Sequence, residues 1–584
     1  MEMPQVASLA PMESADAGRG TPRALWLLVL FFLLINIPPA ANFTRYFGDE
    51  RFYSDGAIEM IQKREYFTPM DGDGGYFYNK PALTFWLMLA SYKIMGVSLL
   101  STRLPFLLAA CGTLFLTYKL TLSLFRESSI ALLAAAMLAG NVLFIHESCF
   151  SITDALLTLA MLVSHYGFMQ IVINGRKSER NYACAYLGVC LGFGVKGILG
   201  FLPAVIAWAF TAWQWYWAPK DSSEKSTGLR DLIHVPLMLL TVFVVAGWFV
   251  SMWLVHGEDF TKVFLADQGL ARLHDSQWST NWRYYPSVFA IYFFPWYIPL
   301  LVLALFDRAA LKQAFNSHRK TFLYLIAWMV LMFIFYLPGN LARSRYILPT
   351  FPLFSVLIAA LPMLGATKEN LSAIWKRTAI GCGFLVLIAG IFFSMIGHPL
   401  DQTVITGGVL MSAISIVFLI VLFRTKWAAP YVLTVFTCIV VAVVDTYILD
   451  CFNDLPTKSV AAILQNRAES RASVTVVGRF GNDFAPQLRE AMGSLVKVSN
   501  AKAAIVNLQQ LPVLVFTQLE QHELKLEQYT VFPAGSAYRN KVLGDRDHVF
   551  SFGDYMKAWW RNRPEEYLAT CRLEFYVAVH KAPL

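Results

Sequence analysis

Long apolar runs alternate with short polar connections over the first 450 residues of the chain. About 20 apolar residues in a helix cross the hydrocarbon core of a bilayer, so runs of this length predict membrane spans. We therefore predict a mainly α-helical, polytopic membrane protein with about 13 transmembrane helices. The runs cover residues 24–43, 103–125, 129–148, 154–173, 182–195, 197–217, 232–255, 286–306, 321–338, 346–364, 378–397, 404–423 and 429–449.

Three of these runs differ from a simple membrane span. The first follows a polar start with Arg19 and Arg23, as in a signal peptide, but it is long and many runs follow it. We interpret it as an uncleaved anchor. The fifth and sixth runs are one apolar stretch that Lys196 and several glycines interrupt. A turn there is compatible with a membrane only if Lys196 reaches the interface.

Basic residues indicate the orientation of the spans. They lie on alternate connections that share the side of the N-terminus, and basic loops of this kind are cytoplasmic. The connections 44–102, 256–285 and 339–345, and everything after residue 450, are then exported. The basic residues are Arg126, Arg176, Lys177, Arg180, Lys220, Lys225, Arg230, Arg308, Lys312, Arg319, Lys320, Lys368, Lys376, Arg377, Arg424 and Lys426.

Residues 451–584 have no apolar run long enough to span a membrane. We predict two domains: a transmembrane domain over 1–450 and a small exported α/β domain over 451–584. The pattern predicts a helix at 457–468 and strands at 474–477, 501–506, 513–516 and 573–580. Gly478 and Gly481 favour a plain turn over a nucleotide loop. Cys451 and Cys571 are either two free thiols or a disulfide.

The composition agrees with a membrane protein. Hydrophobic residues make up 57% of the chain and charged residues 15%, whereas about a quarter of a soluble protein is charged. Intrinsic disorder is therefore excluded. The net charge of +9 does not indicate nucleic-acid binding, because the basic residues lie in short gaps between the apolar runs.

Candidate chemistry is concentrated in the connection 44–102. Asp49 and Glu50 follow the first span directly, and Lys80 precedes Pro81. Such carboxylates can act as a base or bind a metal, and such a lysine can bind a phosphate. The alternative is that Asp49 caps a surface helix and Lys80 extends to the interface. The apolar positions predict two amphipathic interfacial helices, one around 52–61 and one over 82–97.

Asp154 is a further acidic candidate, at the predicted exported start of the fourth span. A capping role would explain this residue alone. It would not explain why Asp49, Lys80 and Asp154 all fall at one interface.

Several motifs follow one another in order over about residues 24–365. They are Asp49-Glu50, Tyr53, Glu59-Met60, Lys80-Pro81, Arg103-Leu104-Pro105, Thr153-Asp154-Ala155-Leu156-Leu157-Thr158, Lys196-Gly197, Trp282-Arg283-Tyr284-Tyr285, Phe294-Pro295-Trp296 and Arg345-Tyr346-Ile347-Leu348-Pro349-Thr350-Phe351-Pro352. This set resembles the polytopic polyprenyl-phosphate-sugar glycosyltransferases of the membrane C-type fold. The most similar branch is the bacterial aminoarabinose transferase of lipid A. The family architecture has thirteen spans and an exported C-terminal domain.

The resemblance implies an inverting transfer of a sugar from a polyprenyl-phosphate donor to lipid A, another glycan or a protein, with the active site facing the periplasm from the bacterial inner membrane. It implies catalytic roles for Asp49 and Asp154, and donor phosphate binding by Lys80, Arg51 and Arg345. The implied cavity residues are Glu50, Tyr53, Trp282, Tyr284, Tyr285 and Tyr346. The implied partners are the lipid-linked donor, the acceptor and membrane lipids, with no nucleic acid.

Two positions depart from the family pattern. Phe52 stands where relatives usually have the basic residue before the tyrosine, and Asn79 replaces the Glu of close relatives before the Lys-Pro pair. In the lipid A branch that Glu and a later His can hold zinc. A neutral amide is a poor zinc ligand, although His256 and His274 are present. We predict that no cofactor is required, while a divalent cation bound by oxygen ligands stays an alternative.

Two other functions are compatible with a polytopic chain. A secondary transporter or lipid flippase would place ionisable groups near the bilayer midplane and show paired halves. Here the candidate groups lie at one interface, and no repeat is visible. An inactive relative that acts as an assembly partner is the other alternative.

Overall fold

The structure is a computed structural model of the chain. It describes residues 23–41, 48–72, 74–217, 227–265, 278–339, 342–424, 428–449 and 455–465, and shorter segments between 474 and 581. Apolar helices dominate up to residue 448, and a small sheet follows. This agrees with the predicted mainly α-helical polytopic fold.

Helices are found at nearly every predicted span, and two more lie in the connection 44–102, as predicted. They are α1 (Arg23–Ala40), α2 (Gly48–Lys63), α3 (Leu83–Met95), α4 (Leu99–Phe125), α5 (Ser128–Ala139), α6 (Val142–Ser148), α7 (Thr153–Val172), α8 (Glu179–Lys196), α9 (Leu202–Trp217), α10 (Val235–Leu265), α11 (Trp278–Tyr292), α12 (Ile298–Phe306), α13 (Arg308–Ser317), α14 (Arg319–Tyr336), α15 (Phe351–Gly365), α16 (Lys368–Leu400), α17 (Gln402–Arg424) and α18 (Ala429–Val443).

The number of thirteen spans is not confirmed. By length and composition, ten helical segments of the described chain could cross a membrane, or eleven if the bent pair α5–α6 counts as one span. One reason for the difference is the predicted span 286–306, which is interrupted between Tyr292 and Ile298. Another is that residues 179–216 are continuous in helical structure and count once.

The segment 179–216 nevertheless turns back on itself. A Cβ atom added to Gly192 would lie 2.8 Å from the Cα of Gly200, whereas eight residues of a straight helix span about 12 Å. Gly197 provides the turn, with a φ of 65° that favours glycine. The predicted turn is present, and the Lys196 side chain there is only 9% exposed because it is paired with Asp154.

One predicted span is broken inside the bundle. The apolar run 129–148 forms α5 and α6, which meet at 66°. Backbone carbonyls released by such a break are costly in a membrane unless they are bonded. Here Thr434 donates to the Ala136 carbonyl at 3.1 Å, and Cys438 to that of Ala139 at 3.3 Å. Trp296 Nε1 donates to the Gly140 carbonyl at 3.3 Å.

A five-stranded mixed sheet forms the C-terminal part, in the order β2-β1-β3-β5-β4. The strands are β1 (Val474–Val477), β2 (Val498–Ala501), β3 (Val513–Thr517), β4 (Tyr529–Tyr538) and β5 (Arg572–His580). Three further helices are α19 (Thr457–Gln465), α20 (Phe552–Trp560) and α21 (Pro564–Cys571). β1 pairs in parallel with β2 and β3, and β5 pairs antiparallel with β3 and β4.

Helix α19 and strands β1, β3 and β5 agree with the predicted elements. The strand predicted at 501–506 overlaps β2 only at residue 501, and residues 502–506 lie outside the described part of the chain. Strand β4 and helices α20 and α21 were missed. Cys571 is buried and free. Cys451, Gly478 and Gly481 lie outside the described residues, so the alternative of two free thiols or a disulfide stays open and the turn after β1 stays a prediction.

Candidate active site

Glu50 and Arg103 form an ion pair in which both side chains are completely buried. Arg103 donates from Nη2 to Glu50 Oε2 at 2.8 Å and from Nε to Oε1 at 3.0 Å. Its Nη1 donates to the Ala40 carbonyl at 3.1 Å. Ser151 donates to Glu50 Oε1 from its backbone N–H at 2.6 Å and from its hydroxyl at 2.9 Å. The pair therefore joins α1, α2 and α4 to the segment before α7.

Glu50 was expected to line the substrate cavity, but the structure gives it different surroundings. Its two carboxylate oxygens accept hydrogen bonds from Arg103 and Ser151. Two charges buried this deeply are stable only with such complete hydrogen bonding. We infer that Glu50 holds the start of α2 in position rather than contacting a substrate.

Lys80 lies beside Tyr53, one turn of α2 after Glu50. Its ammonium donates a hydrogen bond to the Tyr53 hydroxyl and lies 5.1 Å from the centre of the ring. Tyr53 is buried, and its ring packs against Phe77 and Phe85 at 6.2 and 5.7 Å. These contacts fix the Lys80 segment against α2.

Asp154, at the start of α7, is buried between two cations. Lys196 donates to its Oδ1 at 2.6 Å, and Arg345 Nε lies 3.4 Å from its Oδ2. All three side chains are at least nine-tenths buried. The turn after α8 and the segment before α15 thus meet at the first turn of α7.

Glu147 is a residue that the sequence analysis missed. It ends α6, is 7% exposed, and lies within electrostatic reach of Asp154, Arg345 and Lys196. Its Oε2 has no hydrogen-bond partner in the described structure. An acidic residue inside the apolar run 129–148 was the signal that could have identified it.

Lys80 with its partner Tyr53 lies at the same end of the bundle as Asp154 with its partners Lys196 and Arg345. Ser151, which binds Glu50, precedes Asp154 by three residues. A Cβ atom added to Gly194 would lie 3.1 Å from the Leu83 Cβ, so the chain next to Lys196 touches the chain next to Lys80. The segments that carry Lys80 and Asp154 are therefore neighbours in the structure.

The predicted aromatic residues have different environments. Tyr346 lies under the Lys196 ammonium at 4.8 Å and stacks on Tyr336 at 5.2 Å. Tyr285 is buried, 5.5 Å from the Tyr284 ring. Trp282 is 61% exposed. Tyr346 is thus the aromatic candidate in direct contact with the Asp154 cluster.

Two candidates stay untested by side-chain geometry. The backbone of Asp49 and Arg51 belongs to α2, but their side chains lie outside the described residues. Their roles in catalysis and phosphate binding are predictions.

The segment around Asn79 packs on α10. The Thr68 hydroxyl and His256 Nε2 are 2.8 Å apart, and the rings of Tyr76 and Tyr78 lie 4.5 and 5.2 Å from the His256 ring. Burial and the nearby Asp259 raise the pKa of Tyr78, which keeps this phenol neutral. Because the Thr68 hydroxyl is within hydrogen-bond distance of its Nε2, His256 has a structural role in holding this segment against α10.

The described donors near His256 do not by themselves make up a zinc site. Within the described residues, no three His, Cys, Asp or Glu side chains are grouped so that they could hold a metal ion. The Asn79 side-chain oxygen is buried without a hydrogen-bond partner, but a neutral amide is a weak zinc ligand. His274 lies outside the described residues.

Comparison with known proteins gives related sequences. Residues 23–260 match the family of dolichyl-phosphate-mannose-protein mannosyltransferases. An uncharacterised protein of Aquifex aeolicus is 27% identical over 380 residues, which are 63% of this chain and 72% of that protein. The undecaprenyl phosphate-alpha-4-amino-4-deoxy-L-arabinose arabinosyl transferase 1 of Proteus mirabilis is 26% identical over 58% of this chain and 59% of its own length.

Similar folds are known from crystal structures. ArnT from Cupriavidus metallidurans bound to undecaprenyl phosphate has a TM-score of 0.68 at 14% identity, covering 89% of this chain and 99% of that one. Its apo state has a TM-score of 0.65 at 15% identity, with coverages of 88% and 96%. At sequence identities of 14% and 15%, this similarity establishes the fold alone.

The buried Glu50–Arg103 pair predicts a characteristic pattern of stability. Arg103→Met leaves the Glu50 charge buried without a cation, so we expect a loss of about 3 to 5 kcal/mol in the free energy of unfolding. The double variant Glu50→Gln/Arg103→Met removes both charges and should recover part of that loss. Unfolding of the purified proteins in one detergent measures both effects.

Arg319→Met is the matched control, because Arg319 is exposed at the start of α14 and its loss should change stability by less than about 0.5 kcal/mol. A double variant no more stable than Arg103→Met would contradict the assigned ion pair.

Proposed function

We propose that this chain transfers a sugar from a polyprenyl-phosphate donor to lipid A, another glycan or a protein at the periplasmic face of the bacterial inner membrane. Its similarity to the dolichyl-phosphate-mannose-protein mannosyltransferases and to the aminoarabinose transferases supports the proposal. The observation that carries the proposal is that Lys80, bound to Tyr53, and the Lys196 and Arg345 cations, bound to Asp154, lie in neighbouring segments of the bundle. The secondary transporter or flippase is not favoured by the comparisons.

The donor phosphate is proposed to bind near Lys80. The lysine ammonium already lies against Tyr53, so its position is fixed before the donor arrives. A phosphate at an apolar membrane boundary benefits strongly from a charge-assisted hydrogen bond. Arg51 is proposed to help, since it follows Glu50 directly in α2.

Asp154 is assigned a positioning role. Its two carboxylate oxygens face Lys196 and Arg345, which leaves it less suited to abstract a proton. Its charge holds both cations near the reacting groups. Arg345, together with Tyr346, is then proposed to stabilise the leaving phosphate or the sugar next to it.

The proposed reaction is a single inverting displacement. An acceptor oxygen attacks the anomeric carbon, the bond from that carbon to the phosphate oxygen breaks, and polyprenyl phosphate leaves with the electron pair. Negative charge grows on the leaving phosphate, where Lys80 stabilises it. If the acceptor is a hydroxyl group, Asp49 takes its proton; a phosphate acceptor needs only to be oriented.

Lys80→Ala should reduce transfer more than removal of an ordinary surface lysine. A hydrogen bond from a charged donor contributes about 1.5 to 3 kcal/mol, which corresponds to a decrease of kcat/KM of roughly 10- to 150-fold. The measurement is transfer from a polyprenyl-phosphate sugar to lipid A by purified protein in liposomes.

Lys93→Ala provides the control, since Lys93 is exposed near the end of α3. Equal rates for the two variants would overturn the phosphate-binding role of Lys80.

Catalysis is proposed to proceed without zinc. The reaction above uses Lys80 rather than a metal to stabilise the leaving phosphate, and the described donors around His256 do not by themselves make up a zinc site. Activity of the purified protein should survive exhaustive chelation. A loss of activity that zinc alone restores would contradict this prediction, and restoration by magnesium or calcium would support the oxygen-ligand alternative.

The domain arrangement is part of the proposal, with the transmembrane domain ending near residue 450 and residues 451–584 in the periplasm. A cysteine at position 581 should react with a membrane-impermeant maleimide once the outer membrane is permeabilised. Lys581 is exposed in the structure, as is Lys368. A cysteine at position 368, in a predicted cytoplasmic loop, should be protected. The opposite pattern would invert the topology and move the candidate site to the cytoplasm.

A further inference from the structure

Helix α20 (Phe552–Trp560) and helix α21 (Pro564–Cys571) join the C-terminal part to the end of α16. The Tyr555 hydroxyl donates to the Ile396 carbonyl at 2.7 Å. Tyr555 and Leu568 are buried against Ile396 and Leu400, with Met556 and Trp559 partly buried beside them. This contact is close-packed and fixes α20 relative to a long apolar helix.

The contact lies at a membrane boundary. The first ten residues of α16 include four charges, the last of which is Arg377, so the apolar part starts at residue 378. Twenty residues from there, about the thickness of the hydrocarbon core, end at Gly397. Ile396 is therefore at the level where the chain leaves the bilayer, and α20 is held at that level.

The lipid-facing side of α16 reaches this point without interruption. Exposed apolar side chains follow it towards its end, and the last of them, Met395, is 61% exposed. The others are Phe384, Leu385, Ile388 and Ile391. Met395 adjoins Ile396, the residue that binds Tyr555, so lipid lies directly beside α20.

Part of the apolar face of α20 is left uncovered by α16. Phe552 and Trp560 lie on the side of α20 next to the row that α16 covers, and Met556 between them packs partly against the α16 contact. Phe552 is 42% and Trp560 84% exposed. Tryptophan and phenylalanine at the end of a span are typical of the membrane interface, where an apolar ring and a polar edge are both satisfied.

Basic residues follow directly after the last residue of α20. Arg561 and Arg563 follow Trp560 and are exposed, and Arg563 approaches Glu566 at 3.8 Å. Lys557 is paired with Asp554 at 2.9 Å. Arg561 is therefore the cation best placed to meet a lipid phosphate.

We propose that α20 is an interfacial helix, which inserts Phe552 and Trp560 among the lipids of the adjacent leaflet and sets Arg561 against their phosphates. The occupant of this surface is the bilayer itself. Because α21 leads directly into β5, the helix holds the sheet against the membrane. The proposal does not depend on the transferase activity or on which side of the membrane is exported.

Quenching by lipids tests the proposal. The variant Trp560→Cys, labelled with a small fluorophore and reconstituted in nanodiscs, should be quenched several-fold more by phospholipids brominated near the top of their acyl chains than Asp554→Cys, on the opposite side of α20. Iodide, a water-soluble quencher in the buffer, should instead quench the label at position 554 more than the label at position 560. The unsubstituted protein, treated in the same way, measures labelling of native cysteines.

Equal quenching of the two positions by brominated lipid would overturn the proposal. So would a label at position 560 that neither quencher reaches, because that result would indicate a protein partner or a second copy of the chain on this surface.

Proteolysis gives a second measurement on unlabelled protein. Trp560→Asp should weaken the membrane contact, whereas Trp560→Phe should retain it. In nanodiscs, trypsin should then cut after Arg561 several-fold faster in the Asp variant than in the Phe variant or the native protein. Equal rates for the Asp and Phe variants would contradict the proposal.

Discussion

The candidate site depends on the buried ion pair between Glu50 and Arg103. This pair ties the end of α1, the start of α2 and the first turns of α4 to Ser151, just before Asp154. Burying two charged side chains away from water costs free energy unless their charged oxygens and nitrogens are all hydrogen-bonded. The pair is therefore stable in one geometry only, and that geometry determines where α2 and α7 begin relative to each other.

The other charges are also arranged so that each has a partner nearby. Asp154 lies between Lys196 and Arg345, and Lys80 lies on the Tyr53 ring. A cluster of cations at the edge of an apolar bilayer would be unstable if its members had no counter-charge or polarisable neighbour. It would also be well prepared for a phosphate, which brings negative charge without requiring the site to rearrange.

The sequence predicts the spans and the candidate positions better than the contacts between them. Apolar runs locate the helices because the bilayer imposes their length, and the Lys196-Gly197 turn is visible as a break in one run. The bend between α5 and α6 was missed, since only Gly140 and Asn141 interrupt the run 129–148.

The pairing of charges was harder to predict. The pairing of Lys196 with Asp154 was not predicted, because the two residues are 42 positions apart in the sequence. Glu50 was assigned to the cavity because nothing near it in the sequence identifies Arg103 as its partner. Strand β4 was missed because its register shifts between Pro533 and Gly535, which disturbs the alternating pattern that identifies a strand.

The bend between α5 and α6 bears on how much of the chain a working enzyme needs. All the candidate residues lie before residue 347, and the matched family segment ends at residue 260. Yet the carbonyls at the bend are bonded by Thr434 and Cys438 of α18. A fragment without α18 would contain each candidate residue and still leave the Ala139 carbonyl without its donor inside the bundle, next to the helix that carries Glu147. The minimal functional unit is thus set by the backbone of a broken helix, and it extends beyond the stretch over which the motifs are found.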